Sequence, residues 1–582
     1  MRKNKHSYND SINSTLNNAY GKKGKRRYKS NYNNEKIKKI LTVILIIVAI
    51  FFIYCIGNEF IIINNNEKVN LIINNNNITS DMKNDILIQD NIIYLSEPDI
   101  ENFFDKHIYE EPNSGKIITT YDKKIAEVSF DSNIININGS DTKVSAHAIK
   151  QNNITYLPIS EMKDVYGIEI EKIDKTNIIT MDSTDREQIK CTISRDCSVK
   201  YSTDFFAYTV DRVATGQSVI KIKEINDGWT KIRTANGKIG YVKSDKLTNE
   251  IKTRENMNNE VQIDGKVNMF WDYFSKYASA PDRSGTKIDG VNVVSPAFFY
   301  LDESGNLKEN IGDSGKKYIE WAHNNGYRVW PMVENAEAGI EVTSKIMNSY
   351  ENRKKLIEAI SEVCVKYNLD GVNIDFENMK EADKEMYSRF IIELSPRIKD
   401  TGDVISVDVT APDGGETWSL CFDRNVIGNE ANYIIFMAYD EYGTSSTKPG
   451  TTAGFDWVKL SLNKFLETEE IESNKIILGI PFYTRLWAED SNGNVANKMI
   501  YMKDEENIIP EGVEKTWKED LQQYYIEFQK DKATLKMWIE DEKSLKSKLS
   551  LIKDNNLAGL SAWAKGMEDE SIWQVIKEEL QD

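Results

Sequence analysis

Cysteine and histidine are scarce in this chain of 582 residues, which contains five cysteines and four histidines. Five cysteines are too few to build a disulfide scaffold. The spacing of Cys191 and Cys197 fits a disulfide in an oxidising environment and fits two free buried thiols equally well. No histidine has the spacing of a zinc ligand, and no motif requires a metal ion or an organic cofactor.

Basic residues are also in deficit, since 74 Lys and Arg stand against 91 Asp and Glu, for a net charge of −17 at pH 7. Residues 1–39 run against this trend, with 12 basic side chains and two acidic ones, a local balance of +10. Taking +10 from −17 leaves −27 for the rest of the chain. Such an acidic body argues against nucleic acid as a partner.

One run of 18 residues, 40–57, contains no charged side chain. Its length just reaches that of a membrane-spanning helix, and the basic tail before it predicts a cytoplasmic N-terminus with everything after Asn58 outside. A cleaved signal peptide is the alternative, although the basic flank is long and no A-x-A-like site follows the run. A lipoprotein cysteine at Cys55 is disfavoured by the bulky residues before it. We therefore expect a single-pass anchor in the cell membrane.

Two small modules are predicted between the apolar run and residue 247. Residues 67–184 combine short β-like runs with one helical stretch, and this α+β pattern resembles the copper-amine-oxidase N-terminal-like modules of bacterial cell-surface proteins. The resemblance implies a spacer or wall-contact module and no copper, since His107 and His147 lack companion ligands.

Residues 188–247 alternate apolar side chains with glycine turns, which predicts a small β-barrel. Gly228-Trp229 and Gly240-Tyr241 make this segment similar to a bacterial SH3 domain, which implies binding of wall peptide. Trp229 either contacts that ligand or is a core aromatic residue of the barrel, and the core interpretation is favoured.

Residues 263–582 alternate short apolar runs with amphipathic, helix-like segments, which predicts a parallel (β/α)₈ barrel. A hairpin is expected around 524–541, before the last strand. The eight predicted strand runs are 267–273, 291–299, 328–335, 371–378, 405–412, 433–441, 475–483 and 558–566.

The fourth run carries the strongest candidate site. Because strand side chains alternate, Asn373, Asp375 and Glu377 share one face, and the apolar residues between them share the other. The apolar face must meet the surrounding helices, which leaves the polar face inside the mouth of the barrel. Burial and like charge there raise a carboxyl pKa, as a general acid requires. The alternative is an acidic strand end solvated at the rim.

The motif D-G-x-N-x-D-x-E at 370–377 resembles the D-G-x-D-x-D-x-E signature of family 18 glycoside hydrolases, the chitinase-like enzymes. Residues 437–440 (MAYD) resemble the M-x-Y-D motif of that family, and Trp563 resembles its sugar-stacking tryptophan. The segment from Ser295 to Phe299, in the second run, is also typical of that family in its position. Together with the SH3-like module, the chain is most similar to the bacterial wall or spore-cortex branch.

The resemblance implies a role for each residue of these motifs. Glu377 would protonate the leaving oxygen, and the 2-acetamido carbonyl of the substrate would attack the anomeric carbon, so that configuration is retained. Asp375 would orient the acetamido nitrogen, and Tyr439 would hydrogen-bond its carbonyl. Trp563 would stack under the sugar, and Asp440 would bind its hydroxyl groups. The other substrate-binding residues that the resemblance implies are Asn373, Met437 and Phe299.

Asn373 stands where the family motif usually has Asp. An amide can hydrogen-bond Asp375 but cannot share a proton with it, so we expect activity to survive with a changed pH optimum. Four further side chains either line the mouth or form salt bridges at its rim: Glu334, Asn335, Asp408 and Arg485.

The expected function is hydrolysis of β-1,4 N-acetylglucosamine linkages of peptidoglycan by a membrane-anchored enzyme on the wall side. One alternative is a non-catalytic, lectin-like scaffold that binds the wall, although such proteins usually lose the acid that Glu377 provides here. The other is a chitinase acting on exogenous chitin, which a permanent anchor disfavours.

Overall fold

The computed structural model describes residues 28–60, 68–225, 228–255, 261, 263–285, 287–412 and 414–581, with side chains from 35 to 53 in the first segment. The chain divides into two compact units, and each is treated by itself. One takes the residues up to Asn75, Lys172–Ile179 and Glu187–Arg254, and the other takes Asn76–Glu171, Thr180–Arg186 and the residues from Glu255 onward.

Helix α1 spans Tyr28–Phe60 and contains the predicted membrane run. A search of the described residues finds no helix that combines the length and the apolar character needed to cross a membrane. The side chains of 54–57, at the end of the predicted run, and residues 1–27 of the predicted tail lie outside the described residues.

Short strands and two helices make up the region from 70 to 183. Strands β5 to β9 form a five-stranded antiparallel meander, and a four-stranded sheet has the order β10-β11-β4-β3. The elements are β1 (Asn70–Ile73), β2 (Asn76–Asn77), β3 (Leu87–Gln89), β4 (Ile92–Ser96), α2 (Glu97–Phe103), β5 (Tyr109–Glu110), β6 (Ile117–Tyr121), β7 (Lys124–Val128), β8 (Ile134–Ile137), β9 (Ser140–Lys143), β10 (Ile149–Gln151), β11 (Ile154–Leu157), α3 (Lys163–Tyr166), β12 (Ile168–Ile173) and β13 (Ile178–Ser183).

A seven-stranded antiparallel sheet follows, in the order β16-β15-β19-β18-β17-β14-β20. At Gly240 an added Cβ would lie 2.5 Å from the carbonyl oxygen of Lys200, so only glycine fits. Trp229 is partly buried, with Lys243 Nζ 4.2 Å from its ring centroid, and lies outside the apolar core, so the core interpretation is wrong. The strands are β14 (Gln188–Ile193), β15 (Cys197–Lys200), β16 (Thr209–Val213), β17 (Ser218–Ile225), β18 (Trp229–Arg233), β19 (Ile239–Lys243) and β20 (Leu247–Arg254).

Cys191 and Cys197, in this sheet, are both free in the structure.

A closed parallel barrel follows, and its strands coincide with the eight predicted runs, except that β23 extends two residues beyond its run and β28 begins one residue before its run. The second and third strands are each interrupted, into β22 and β23 and into β25 and β26, and β21 closes the barrel by pairing with β36. The barrel strands are β21 (Val267–Asp272), β22 (Val293–Pro296), β23 (Phe299–Leu301), β25 (Arg328–Val329), β26 (Met332–Glu334), β27 (Gly371–Asp375), β28 (Val404–Val409), β29 (Tyr433–Met437), β30 (Ile476–Pro481) and β36 (Gly559–Trp563), with β24 (Leu307–Glu309) as a short antiparallel addition.

Amphipathic helices surround the barrel and bury their apolar faces against the outward side chains of the strands. These helices are α4 (Gly312–Asn324), α5 (Gly339–Met347), α6 (Tyr350–Tyr367), α7 (Lys384–Asp400), α8 (Arg424–Glu430), α9 (Phe455–Glu467), α11 (Glu542–Asp554) and α12 (Ile572–Gln581), whereas the short α10 (Glu505–Ile508) belongs to the insertion between β30 and α11.

A five-stranded antiparallel sheet is inserted between β30 and α11, in the order β32-β31-β35-β34-β33. The predicted hairpin is present as the β34–β35 pair. The strands are β31 (Tyr483–Asp490), β32 (Val495–Tyr501), β33 (Thr516–Lys518), β34 (Gln523–Lys530) and β35 (Ala533–Ile539).

Strands β6 and β7 of the 70–183 region pack on helix α7 of the barrel. Asn138 Nδ2 donates a 2.7 Å hydrogen bond to Asp400, and Glu127 pairs with Lys354. Beneath them, the fully buried Arg353 and Glu393 form an ion pair at 3.1 Å, on barrel helices α6 and α7. Module and barrel therefore share an extensive polar interface.

Candidate active site

The fourth strand presents its polar side chains to the inside of the barrel, as the alternation predicts. Val372, Ile374 and Phe376 belong to the core shared with the helices. Asn373 is fully buried, and Asp375 is 7% exposed at the end of β27. Glu377 follows in the turn after the strand, so the three polar residues rise from the floor of the mouth towards its rim.

Asn373 forms the floor through four hydrogen bonds. Its Oδ1 accepts from the indole N–H of Trp271 at 2.8 Å and from Ser295 Oγ at 3.3 Å. Its Nδ2 donates to Asp408 Oδ1 at 2.8 Å and to Ser406 Oγ at 3.2 Å. These partners satisfy the amide, and the hydrogen bond to Asp375 that the sequence allowed is absent from the described residues. Asp375 Oδ1 is buried and has no hydrogen-bond partner among the described residues.

Four carboxyl groups of the mouth have raised pKa values: Glu334, Asp375, Glu377 and Asp408. Burial, and then the negative charge of Asp440, raises the pKa of Glu377 to about 7. Burial raises the pKa of Asp375 well above its ordinary value, and the charges of Glu377, Asp408 and Glu334 act in the same direction. Among the described residues, no Lys or Arg forms an ion pair with Glu334, Asp375, Glu377 or Asp408. Glu377 can therefore hold a proton near neutral pH.

Glu334 and Asn335, at the end of the third strand, both adjoin Glu377. Glu334 pairs in register with Asp375, and burial raises its pKa to about 7, with the charge of Glu377 adding to the effect. The Asn335 side chain makes two hydrogen bonds to the backbone of Glu377, accepting from its N–H and donating to its carbonyl, both at 2.9 Å. Asn335 thus fixes the turn that carries Glu377.

Asp408 is fully buried on β28 and forms no salt bridge within the described part of the chain, so it is not a salt-bridge partner at the rim there. Burial raises the pKa of Asp408 well above its ordinary value, while the N–H groups of Asn373 and Trp271 act in the opposite sense.

Asp440 and Tyr439 follow the sixth strand. Asp440, in the left-handed backbone region at φ 58°, accepts hydrogen bonds from Tyr483 Oη and Arg485, both at 2.9 Å. Arg485 is therefore an ion-pair partner in this mouth. Burial raises the pKa of Tyr439 well above its ordinary value, so its hydroxyl group remains a donor.

Trp563, at the end of the eighth strand, is partly buried and forms the aromatic wall of the mouth. Its ring centroid lies 5.7 Å from that of Trp271 and 5.8 Å from that of Tyr273, which is 52% exposed. Met437, 5% exposed, packs in the barrel interior. Phe299 is fully buried between strands and helices, so its side chain does not reach the mouth and the predicted substrate contact is wrong.

Three residues of the site were not singled out from the sequence: Trp271 on the floor, and Tyr273 and Tyr483 at the mouth. Trp271 follows Val267 and Met269 at alternate positions of the first strand, and this inward face was available as a signal. Tyr483 alternates with Arg485 in the same way on β31.

Comparisons with known proteins agree with this geometry. Residues 266–568 match the family model described as glycosyl hydrolases family 18, and residues 72–181 match that of the copper amine oxidase N-terminal domain.

The relatives include two proteins of Bacillus subtilis (strain 168). The uncharacterized glycosylase YvbX is 28% identical over 299 residues, which are 49% of this chain and 84% of the relative. A cortical fragment-lytic enzyme is 24% identical over 259 residues, which are 42% of this chain and 58% of the relative. Among solved structures, a chitinase from Chromobacterium violaceum aligns with a TM-score of 0.49 at 22% identity, covering 55% of this chain and 99% of that one.

Proposed function

Because the chain belongs to family 18 of the glycosyl hydrolases, we propose that it cleaves the β-1,4 linkages of N-acetylglucosamine in peptidoglycan. The observation that carries this proposal is the proton that Glu377 can hold near pH 7, beside an Asp375 oxygen with no partner among the described residues. An acid with a pKa close to the working pH is an efficient proton donor to a leaving oxygen.

In the proposed mechanism, the acetamido group of the substrate serves as the nucleophile and the configuration is retained. Glu377 protonates the leaving glycosidic oxygen. The free Asp375 oxygen accepts the acetamido N–H, and the Tyr439 hydroxyl donates to its carbonyl, which moves towards the anomeric carbon. Trp563 supports the sugar ring, and the ion pair of Asp440 with Arg485 orders the side of the mouth that meets substrate hydroxyl groups.

Peptidoglycan is preferred over chitin as the substrate because of the relatives and the accompanying segments. A cortical fragment-lytic enzyme is among the relatives, and the 188–247 segment is similar in sequence to wall-binding SH3 domains. The basic tail and the apolar run at 40–57 support an anchor in the cell membrane with the catalytic domain on the wall side. A chitinase is the second candidate, favoured by the likeness to the two chitinases, insect and fungal, among the curated relatives.

The test is to incubate the purified full chain with peptidoglycan and with chitotetraose and to count new reducing ends. Glu377→Gln is nearly isosteric but cannot donate the proton, so we expect the rate to fall by about 10²–10⁴. Cleavage of chitotetraose alone would identify a chitinase. A folded protein that binds the wall and cleaves neither polymer would identify the lectin-like scaffold instead.

A further inference from the structure

Asp408 is a buried carboxyl group with an unusual set of neighbours. It is fully buried, no Lys or Arg among the described residues pairs with it, and its Oδ2 has no hydrogen-bond partner there. Its Oδ1 accepts the 2.8 Å hydrogen bond from Asn373. A buried carboxyl group without a cation costs folding free energy, so its presence calls for a role beyond packing.

The strand register places Asp408 next to the catalytic carboxyl pair. Strands β27 and β28 pair in parallel with Asn373 opposite Ser406 and Ile374 opposite Val407. Continuing by one residue puts Asp408 beside Asp375, on the same inward face. Asp408, beside Asp375, and Asn373, one inward position below Asp375 on β27, thus form one carboxyl–amide unit.

We propose that Asp408 is a positioning residue for the hydrolysis, and that it supplies the carboxyl group that the family motif carries at the position of Asn373. The unit that contacts Asp375 then contains one amide, Asn373 on β27, and one carboxyl group, Asp408 on β28. The proposal rests on the proposed hydrolytic function, since Asp408 acts on the reaction only through Asn373, Asp375 and Glu377.

The hydrogen-bond pattern predicts that Asn373 and Asp408 can be exchanged as a pair. With Asp at 373 and Asn at 408, the carboxylate would accept the existing N–H of Trp271 and O–H of Ser295. The amide at 408 would donate to that carboxylate, so the 2.8 Å bond would be kept with its direction reversed. Asn373→Asp alone places two carboxyl groups face to face and loses the amide donor. Asp408→Asn alone can keep an acceptor oxygen for Asn373, but it removes the carboxyl group beside Asp375.

The titratable groups that face Asp408 determine how the exchange affects the pH dependence. They are Asp375 and Glu377 after the fourth strand, Glu334 on the third, Tyr439 after the sixth and Tyr387 on helix α7. Each ionised carboxyl group makes the next proton harder to remove. Loss of the Asp408 carboxyl group therefore moves the alkaline limb of the pH–rate profile to lower pH, and an added carboxyl group at 373 moves it to higher pH.

The experiment compares Asp408→Asn, Asn373→Asp and the double variant in the full chain, using kcat/KM on chitotetraose as a function of pH. We expect Asp408→Asn to lower kcat/KM by about 10- to 100-fold, as for a misplaced catalytic group, and to move the alkaline limb down by about one pH unit. Asn373→Asp should move the alkaline limb to higher pH. The double variant should restore both the wild-type rate and the wild-type position of that limb. A double variant as impaired as Asp408→Asn, or an Asp408→Asn enzyme with the wild-type rate and limb, would overturn the proposal.

Two controls separate this proposal from the proposed function. Asp554→Asn removes an exposed carboxyl group at the end of α11, near the amino ends of the strands, and should change neither rate nor limb. If the wild-type chain cleaves nothing, the hydrolytic function fails, and thermal unfolding then tests the exchange. Asn373→Asp should lower Tm and the double variant should restore it, whereas a double variant no more stable than Asn373→Asp would refute the exchange.

Discussion

Two regions of the barrel bury carboxyl groups in opposite ways. Beside the inserted sheet, Glu540 is 1% exposed and accepts two hydrogen bonds from the fully buried Lys548, at 2.9 and 3.0 Å. Ser544 and Gln523 complete its coordination. In the mouth, Asp375 and Asp408 are buried and Glu377 is partly buried, and no Lys or Arg in the described part of the chain forms an ion pair with any of the three. The lysine compensates the buried charge of Glu540 and so stabilises the fold, whereas the carboxyl groups of the mouth have no such partner and are available for proton transfer.

The largest expected effect comes from breaking the paired region. Lys548→Met leaves Glu540 as an uncompensated buried charge, so we expect the free energy of unfolding to fall by about 3–5 kcal/mol, measured by urea denaturation. Lys546→Met on the same helix is the matched control, since Lys546 and its partner Glu542 are both exposed, and it should leave stability nearly unchanged. Equal losses in the two variants would show that burial does not distinguish the pairs.

The unpaired region depends on amide hydrogen bonds instead of cations, and Asn335→Ala removes two of them from the Glu377 backbone. We expect kcat/KM to fall by about 10- to 100-fold because the acid is no longer held in place. Asn348→Ala also loses two side-chain hydrogen bonds, to Ser344 and Asp383, and should leave the rate unchanged. A wild-type rate in Asn335→Ala would show that the turn positions Glu377 without this amide.

The smallest expected effect tests the electrostatic interaction between Glu334 and Glu377 in the mouth. The charge of Glu377 raises the pKa of Glu334, and by reciprocity Glu334 raises that of Glu377. Glu334→Gln should therefore move the alkaline limb of kcat/KM to lower pH by about half a unit. Glu337→Gln, which removes a carboxyl group paired with Lys276 at 2.5 Å, is the control. An unchanged limb in Glu334→Gln would mean that the two carboxyl groups do not interact during turnover.

The barrel and the orientation of its fourth strand were predictable because both follow from local alternation. All eight strands lie within or one residue beyond predicted runs, apart from β23, which extends two residues further. The inward face of Asn373, Asp375 and Glu377 needed no knowledge of neighbouring strands.

Features that depend on neighbouring strands were not predictable. The Asn373–Asp408 bond is set by the register between β27 and β28, and the Asn335 bonds are set by a turn 42 residues away. Phe299 was misplaced because the second strand is interrupted after Pro296. Ala297 still faces the interior, but Phe298 and Phe299 both turn to the helices, so the alternation restarts.

The polar interface between strands β6 and β7 and helices α6 and α7 limits where the chain can be cut into fragments and which segments a gene fusion can transfer. Glu111 Oε2 lies 4.0 Å from the guanidinium group of Arg353, and Arg389 donates to the backbone carbonyl of His107 at 2.6 Å. A fragment cut before residue 263 would expose this surface, with Lys354 losing Glu127 and Asp400 losing Asn138. The barrel and the residues Asn76–Glu171 that pack on it belong to one compact unit. A gene fusion that carries the barrel alone would therefore need new side chains on the outer faces of helices α6 and α7.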